Sequence, residues 1–146
     1  MFNKILVVCI GNICRSPMAE ALLREGTPNG VHVHSAGVGA LVGFPADASA
    51  IQLLQARGID ITAHRARQLS LQMVRESDLI LVMDASQQQH IQSKYPAASG
   101  KIHCIGKWID EDIPDPYKKS SEYFEYILGI LDRSVDSWIS KLWKKH

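Results

Sequence analysis

The chain has 146 residues, of which 46% are apolar, and its 16 Lys and Arg nearly balance its 15 Asp and Glu. This length suffices for one domain, expected over residues 1–146, with a hydrophobic core that needs neither disulfides nor metals. The composition excludes a disordered chain and a nucleic acid-binding surface, and the longest apolar runs, at residues 5–10 and 79–83, are too short for membrane insertion.

Short β-rich runs alternate with helical segments along the chain, which is typical of an α/β fold. Strands are predicted at residues 4–9, 31–35, 79–83 and 101–105, and helices at 17–25, 47–57, 71–76 and 85–94. A final helix carries one apolar stripe with a spacing of three and four residues, formed by Phe124, Ile127, Leu128, Leu131, Val135, Trp138 and Leu142. Because parallel strands need crossovers, we predict a single doubly wound domain with a four-stranded parallel sheet, in the order 2-1-3-4, flanked by helices.

The loop after the first strand reads Cys-Ile-Gly-Asn-Ile-Cys-Arg-Ser-Pro at residues 9–17 and is called the Cys9 loop below. It begins at the carboxyl end of a strand, where ligands bind in doubly wound folds. Ser16 is predicted to cap the next helix and Pro17 to occupy its first position, so the loop ends at a helix N-terminus that favours an anion. Gly11 is expected to let the backbone curl until successive N–H groups point inward. The predicted phosphate-binding residues are Ile10, Gly11, Asn12, Ile13, Cys14 and Ser16.

Cys9 and Arg15 form the predicted catalytic pair of this loop. The positive end of the helix should stabilise the Cys9 thiolate, which would then be a nucleophile at neutral pH. The planar guanidinium of Arg15 can return across the loop and bind two phosphoryl oxygens at once. A lone cysteine at a strand end is more often an inert buried side chain, and a Cys-x5-Arg spacing also occurs by chance. The complete string between an apolar strand and a helix favours phosphoryl transfer without a metal.

A phenolate leaving group needs a general acid at neutral pH, and Asp115 is the predicted acid. It lies between two prolines in a loop after the fourth strand, which should reach the same edge of the sheet. An Asp-Pro turn without catalytic meaning is the alternative. Asp110, Glu111 and Asp112 are nearby competitors, but none of them lies between prolines.

Further residues are assigned to the surroundings of the Cys9 loop. Leu41 can form a substrate wall and Tyr117 can stack on an aromatic substrate, although ordinary loop roles stay open for both. The glycine-rich segment 37–43 resembles a dinucleotide fingerprint, but its third glycine is one residue late, so we interpret it as a flexible loop. Polar side chains expected to hydrogen-bond around the loop and support its backbone are those of Asn12, Ser16, Ser35 and His64.

The cysteines and histidines indicate neither a disulfide framework nor a metal site. Cys9, Cys14 and Cys104 are odd in number and show no repeating spacing, which favours a reducing, cytoplasmic location. No His-Glu-x-x-His or Cys-x-x-Cys motif occurs, so no metal or other cofactor is expected. Because Cys14 lies near Cys9 in a curled loop, we predict that peroxide yields a reversible disulfide between them that protects the nucleophile.

The Cys9 loop resembles the signature Cys-x-Gly-Asn-x-Cys-Arg-Ser-Pro of the low-molecular-weight protein tyrosine phosphatases. The resemblance continues, in the order of that family, through residues 35–37, 62–69, 79–84 and 115–117, and so covers nearly the whole chain. It implies Cys9 as the nucleophile that forms a phosphocysteine and Arg15 as the ligand of the transition state. It also implies Asp115 as the acid, and then as the base for the water that hydrolyses the intermediate.

Two departures from the animal members concern the substrate. Lys118 follows Tyr117 where animal members usually carry a second tyrosine, and the loop near residue 41 offers Leu41 in place of a larger aromatic. The string at residues 39–43 is similar to bacterial Wzb-type members, which act on tyrosine kinases that control capsule and exopolysaccharide export. The resemblance therefore implies a phosphotyrosine protein, a bacterial tyrosine kinase, as the partner.

Three other classes use a similar loop. Thioredoxin-coupled arsenate reductases need two further cysteines close together, but residues 80–95 contain none and Cys104 stands alone. Protein arginine phosphatases carry Thr at the position of Ile13, whose methyl-rich side chain suits an aryl phosphate better. Cysteine phosphocarriers lack the clamping arginine, and a non-catalytic anion-binding module needs no acid, so Arg15 and Asp115 together argue against both.

Overall fold

The structure is a computed structural model that describes residues 2–143. Residues 1 and 144–146, which the predicted domain includes, lie outside the described residues. The strands are β1 (Lys4–Cys9), β2 (His32–Gly37), β3 (Leu79–Val82) and β4 (Ile102–Cys104). The helices are α1 (Arg15–Gly26), α2 (Ala48–Gln55), α3 (Leu71–Glu76), α4 (Ala85–Lys94) and α5 (Ser121–Leu142), and 3₁₀ turns cover Pro96–Lys101 and Lys107–Ile109.

The four strands form one parallel sheet in the order β2-β1-β3-β4, which confirms the predicted fold and strand order. After β1 the chain adds β2 on one side, and it then returns to add β3 on the other side of β1. The switch in strand order therefore lies at the carboxyl end of β1, where the Cys9 loop begins.

Helices cover both faces of the sheet, which explains why β3 and residues 5–9 of β1 are apolar and buried. Alternate residues of β1 point to opposite faces, so Ile5 and Val7 pack into the larger core cluster with α1 and α5. Leu6 and Val8 pack into a second cluster with α3 and α4. The predicted apolar stripe of α5 is buried against the sheet from Phe124 to Trp138, and Leu142 packs at its margin.

Several element boundaries differ from the sequence prediction. Helix α1 begins at Arg15 rather than at residue 17, and Cys14 occupies the N-cap position without a capping hydrogen bond from its side chain. The prediction of Ser16 as the N-cap is therefore wrong, because the Ser16 hydroxyl is buried and bonds within the Cys9 loop. Residues 96–101 form a 3₁₀ turn, so β4 is shorter than predicted. Within residues 2–143, no helix combines the length and apolarity needed to cross a bilayer.

Candidate active site

The Cys9 loop curls around a point beyond the end of β1, with its carbonyl groups facing outward. The carbonyls of residues 9–13 all accept hydrogen bonds from segments outside the loop, at 2.7–3.1 Å. No backbone N–H of residues 10–14 donates to a protein acceptor among the described residues. With the carbonyls bound on the outer side, these N–H groups face the centre and form a concave site for an anion. The donors to the carbonyls, in order, are the N–H groups of Val38, Gly39 and Leu41, the ring of His64, and the N–H of Asp47.

The residue that lets this loop curl is Asn12, not Gly11 as predicted. Asn12 has a left-handed backbone with a φ of 61°, whereas Gly11 is not in the positive-φ region. Asparagine tolerates this conformation better than most residues. A Cβ at Gly11 would lie in ordinary contact with Ile13 and Leu41, at 3.8 and 3.9 Å.

Buried hydrogen bonds hold the left-handed Asn12 in place. Its amide Nδ2 donates to Ser16 Oγ at 2.7 Å and to Ser35 Oγ at 3.0 Å. Its Oδ1 accepts from the backbone N–H of Arg67 at 3.0 Å, and its carbonyl oxygen lies 2.7 Å from His64 Nε2. The four predicted support residues are therefore brought together around one strained position of the loop.

Cys9 lies at the base of the site, with its side chain buried and its Sγ 2.9 Å from Ser16 Oγ. It lines a cavity of about 170 Å³. Three larger cavities, of about 510, 450 and 410 Å³, lie elsewhere, but among the described residues none of them contains a nucleophile beside an arginine and a row of free N–H groups. The other residues of the Cys9 cavity are Ile10, Gly11, Ile13, Cys14, Arg15, Gly39, Leu41, Asp115 and Tyr117.

Arg15 is buried at the side of this cavity and is held by one hydrogen bond and two carboxylates. Its Nη1 donates to the carbonyl oxygen of Ile113 at 2.7 Å and lies 3.9 Å from Asp84 Oδ2. Its Nη2 lies 3.8 Å from Asp115 Oδ2. Asp84 was not a predicted site residue, although it lies in the loop after β3, the strand next to β1, and a loop at that edge of the sheet can reach the site. The fixed guanidinium is thus aimed at the same space as the Cys9 sulfur.

Asp115 reaches the mouth of the cavity on the loop before α5. That loop is anchored to the sheet where the N–H of Ile113 donates to the carbonyl oxygen of Met83 at 2.8 Å. Asp115 Oδ1 accepts from the N–H of Tyr117 at 3.1 Å, and the Asp115 side chain is 44% exposed, so it can exchange protons with solvent. Asp110, Glu111 and Asp112 instead line the cavity of about 450 Å³.

Cys14 is a second buried thiol in the wall of the cavity. Burial, followed by the nearby charges of Asp47, Cys9 and Asp115, raises the pKa of Cys14 far above its ordinary value. Cys14 is therefore a protonated thiol at neutral pH. Cys104 lines the cavity of about 450 Å³, not that of Cys9. Among the described residues, no three His, Cys, Asp or Glu side chains converge in a way that could hold a metal ion.

Comparison with known proteins finds relatives of this chain in both sequence and structure. A family model described as low molecular weight phosphotyrosine protein phosphatase matches residues 4–146. The probable low molecular weight protein-tyrosine-phosphatase EpsP of Ralstonia nicotianae is 53% identical over 142 residues, which cover 97% of each chain. The structure of Vibrio vulnificus Wzb in complex with benzylphosphonate superposes with a TM-score of 0.93 at 41% identity, covering 97% of this chain and 100% of that one. The YwlE arginine phosphatase of Geobacillus stearothermophilus also matches, with a TM-score of 0.91 at 32% identity, covering 100% of this chain and 99% of that one.

Proposed function

Because the chain belongs to the low molecular weight protein tyrosine phosphatase family, we propose that it hydrolyses phosphotyrosine through a phosphocysteine intermediate on Cys9. The observation that carries this proposal is the convergence of Cys9, Arg15 and Asp115 on one cavity, beside a row of backbone N–H groups that have no acceptor within residues 2–143. A nucleophile, an anion clamp and a proton donor are the three groups that metal-free phosphoryl transfer needs.

In the first step, the Cys9 thiolate attacks phosphorus while the bond from phosphorus to the tyrosine oxygen breaks. The N–H groups of residues 10–14 and the guanidinium of Arg15 bind the equatorial phosphoryl oxygens and stabilise their charge in the transition state. Asp115, at the open end of the cavity, donates its proton to the departing phenolate oxygen, a contribution typically of about 10² to 10⁴ in rate. The products of this step are free tyrosine hydroxyl and phosphocysteine.

In the second step, water attacks the phosphocysteine from the side that the phenol has left. The Asp115 carboxylate now accepts a proton from this water, and the sulfur–phosphorus bond breaks to release inorganic phosphate. The Cys9 thiolate is regenerated, and the Ser16 hydroxyl, 2.9 Å from the sulfur, is placed to stabilise its charge as a leaving group. No metal or other cofactor takes part in either step.

The walls of the cavity support an aryl phosphate as the substrate. Ile13 and Leu41 supply apolar surface, and the half-exposed ring of Tyr117 stands beside Asp115, where it can stack on the substrate ring. Vibrio vulnificus Wzb, whose sequence is 41% identical to this chain, binds benzylphosphonate, an aromatic phosphonate. The names of the EpsP and Wzb relatives support a phosphotyrosine protein as the partner. The finer proposal, a cytoplasmic bacterial tyrosine kinase that controls exopolysaccharide or capsule export, rests on the similarity of residues 39–43 to the Wzb-type members.

Arginine phosphatase and arsenate reductase activities are the two alternatives on the same fold. The match to YwlE means that the fold alone does not distinguish phosphoarginine from phosphotyrosine. The apolar surface of Ile13 in the cavity wall favours the aryl substrate. An arsenate reductase relay needs a further cysteine that can reach Cys9 or Cys14, but Cys104 lines another cavity.

The proposal is tested by offering peptides that carry phosphotyrosine, phosphoserine or phosphoarginine, with a chelator present and Cys9→Ser as the control. Hydrolysis confined to the phosphotyrosine peptide, and abolished in Cys9→Ser, is the expected result. Faster hydrolysis of the phosphoarginine peptide would replace tyrosine by arginine as the substrate. Turnover that persists in Cys9→Ser would refute the phosphocysteine mechanism.

A further inference from the structure

A continuous chain of side-chain hydrogen bonds connects the Cys9 sulfur to a carboxylate on α1. Cys9 Sγ lies 2.9 Å from Ser16 Oγ, which lies 2.7 Å from Asn12 Nδ2. Asn12 Nδ2 lies 3.0 Å from Ser35 Oγ, and the Ser35 hydroxyl is hydrogen-bonded to Glu20 Oε1. Ser35, Asn12 and Ser16 are buried, and Glu20 is only 14% exposed at its side chain. Because these side chains are buried, their polar hydrogens have few acceptors other than the atoms of this hydrogen-bond chain.

The chemistry of the end groups fixes the direction of every bond. An ionised Glu20 can only accept, so the Ser35 hydroxyl donates to it and uses a lone pair to accept from Asn12. The N–H of Arg67 donates to Asn12 Oδ1, which turns the amide Nδ2 toward both serines. Ser16 Oγ therefore accepts from Asn12, and among the described residues the only other polar atom in range of Ser16 Oγ is Cys9 Sγ. When Cys9 is a thiolate, its sulfur can only accept, so the Ser16 hydroxyl donates its proton to the sulfur.

We propose that Glu20 is a positioning residue whose carboxylate keeps the Ser16 hydroxyl donating to Cys9, and so favours the thiolate that the proposed function requires. The effect does not come from the charge of Glu20 acting across space, since a negative charge would disfavour a thiolate. That charge is also offset by Arg24, whose Nη2 lies 2.9 Å from Glu20 Oε2. Arg24 is itself fixed by two hydrogen bonds to the carbonyl oxygen of Val33, so it orients the carboxylate toward Ser35.

A second arrangement of the same side chains becomes available without Glu20. If the Ser35 hydroxyl has no acceptor on α1, its proton can turn toward Asn12, and the Asn12 amide can flip to receive it on Oδ1. The Ser16 proton would then also turn to Asn12 Oδ1 and leave the sulfur without a donor. The N–H of Arg67 opposes this flip, so we expect the loss of Glu20 to weaken the donor to Cys9 and not to abolish it.

Other charged and titratable groups surround both ends of the chain and stay unchanged in the test. On the Glu20 side they line the cavity of about 510 Å³. On the Cys9 side they line the catalytic cavity or contact Arg15. These groups are Arg24, Glu25, His34, Asp60, His64, Arg65 and Arg67 near Glu20, and Cys14, Arg15, Asp84 and Asp115 near Cys9.

The test is the pH dependence of Cys9 alkylation by iodoacetamide, read at Cys9 by peptide mass spectrometry. In Glu20→Ala, the midpoint of the alkylation profile should rise by about half to one pH unit, a three- to tenfold change that weakening one hydrogen bond to an ion can produce. Below the midpoint, kcat/KM for an aryl phosphate should fall by the same factor, with a smaller effect well above it. A merely structural role would lower the thermal midpoint without moving the alkylation profile.

Two controls separate the hydrogen-bond chain from other effects. Glu25→Ala removes a carboxylate of the same helix that lines the same cavity but has no hydrogen-bond or ion-pair partner within the described residues, and it should leave the profile unchanged. In a Ser35→Ala background, Glu20→Ala should have no further effect, because the connection to Asn12 is already broken. A downward shift in Glu20→Ala, or an equal shift with and without Ser35, would overturn the proposal. Alkylation needs no phosphatase substrate, so failure of this inference is distinct from failure of the proposed function.

Discussion

Gly37 ends β2 at the point where the Cys9 loop passes closest to it. A Cβ added to Gly37 would lie 2.3 Å from the carbonyl oxygen of Ile10 and 3.1 Å from the backbone nitrogen and Cβ of Asn12. The first of these distances is at least 0.7 Å shorter than real Cβ contacts allow. Because the obstructing atoms belong to the backbone, Gly37→Ala can be accommodated only if the loop moves away from β2.

The cost of this movement can be estimated from the bonds that oppose it. Three backbone hydrogen bonds, at 3.0–3.1 Å, join the carbonyls of residues 9–11 to the N–H groups of residues 38, 39 and 41. Overpacking of a well-packed site costs about 1–3 kcal/mol, and each weakened hydrogen bond adds up to about 1 kcal/mol. We expect a loss of about 2–4 kcal/mol in the free energy of unfolding, which for a chain of this size lowers the thermal midpoint by roughly 5–15 °C. A displacement near 1 Å in the phosphate site should lower kcat/KM by about 10²-fold.

Calorimetry and aryl phosphate kinetics check this prediction against two other glycines. A Cβ at Gly39 would lie 3.9 Å from the Ile10 side chain, so Gly39→Ala should change the free energy of unfolding by less than about 0.5 kcal/mol. Gly129 lies within α5 with nothing within 4 Å of its Cβ position, and Gly129→Ala should raise stability by up to about 1 kcal/mol. A Gly37→Ala protein as stable and as active as the parent would refute the close approach on which this reasoning depends.

Three further predictions concern the residues around the Cys9 cavity. Asp115→Asn should lower kcat on phenyl phosphates by about 10² to 10⁴ and leave phosphate binding intact, whereas unchanged turnover would remove Asp115 from the mechanism. Burial raises the pKa of Cys14, so only a small fraction of this thiol is ionised near neutrality, and that fraction grows about tenfold per pH unit. The rate at which the Cys14 thiolate attacks oxidised Cys9 should therefore also rise about tenfold per pH unit above neutrality. Correspondingly, Cys14→Ser should fail to recover from peroxide on addition of thiol; full recovery would exclude the protective disulfide. Lys118 has a φ of 62°, so Lys118→Gly should leave the thermal midpoint unchanged or raised, while Lys119→Gly, at an ordinary position, should lower it.

Local patterns were enough to predict the parts of the fold that depend on neighbouring residues. The continuous apolar run of β1, the stripe of α5 and the alternation of strands with helices each follow from the faces that a doubly wound sheet buries. The 3₁₀ turn at Pro96–Lys101 carries no comparable periodicity, and the sequence prediction assigned its last residue to β4.

Contacts between distant segments explain what the sequence prediction missed in the site. Glycine is the usual residue at a left-handed position, so Gly11 was the expected one. The structure uses Asn12 because side chains or backbone groups from Ser35, His64 and Arg67 satisfy its polar groups. The inward hydroxyl of Ser16 has the same origin, since a position that suits an N-cap in isolation is here taken into the buried network. Within the part of the chain that the structure describes, Glu20 joins the site only through Ser35, and nothing in its local sequence indicated that connection.

The covalent intermediate is the central claim, and it can be observed directly. The protein is mixed with p-nitrophenyl phosphate in the presence of a chelator, quenched in acid within the first turnover, and analysed by peptide mass spectrometry. We predict one phosphoryl group on the peptide that contains Cys9, located on the sulfur, and a larger fraction of it in Asp115→Asn, where the water lacks its base. Hydrolysis that proceeds with unmodified Cys9 at every quench time, or with the phosphoryl group on another residue, would contradict the account.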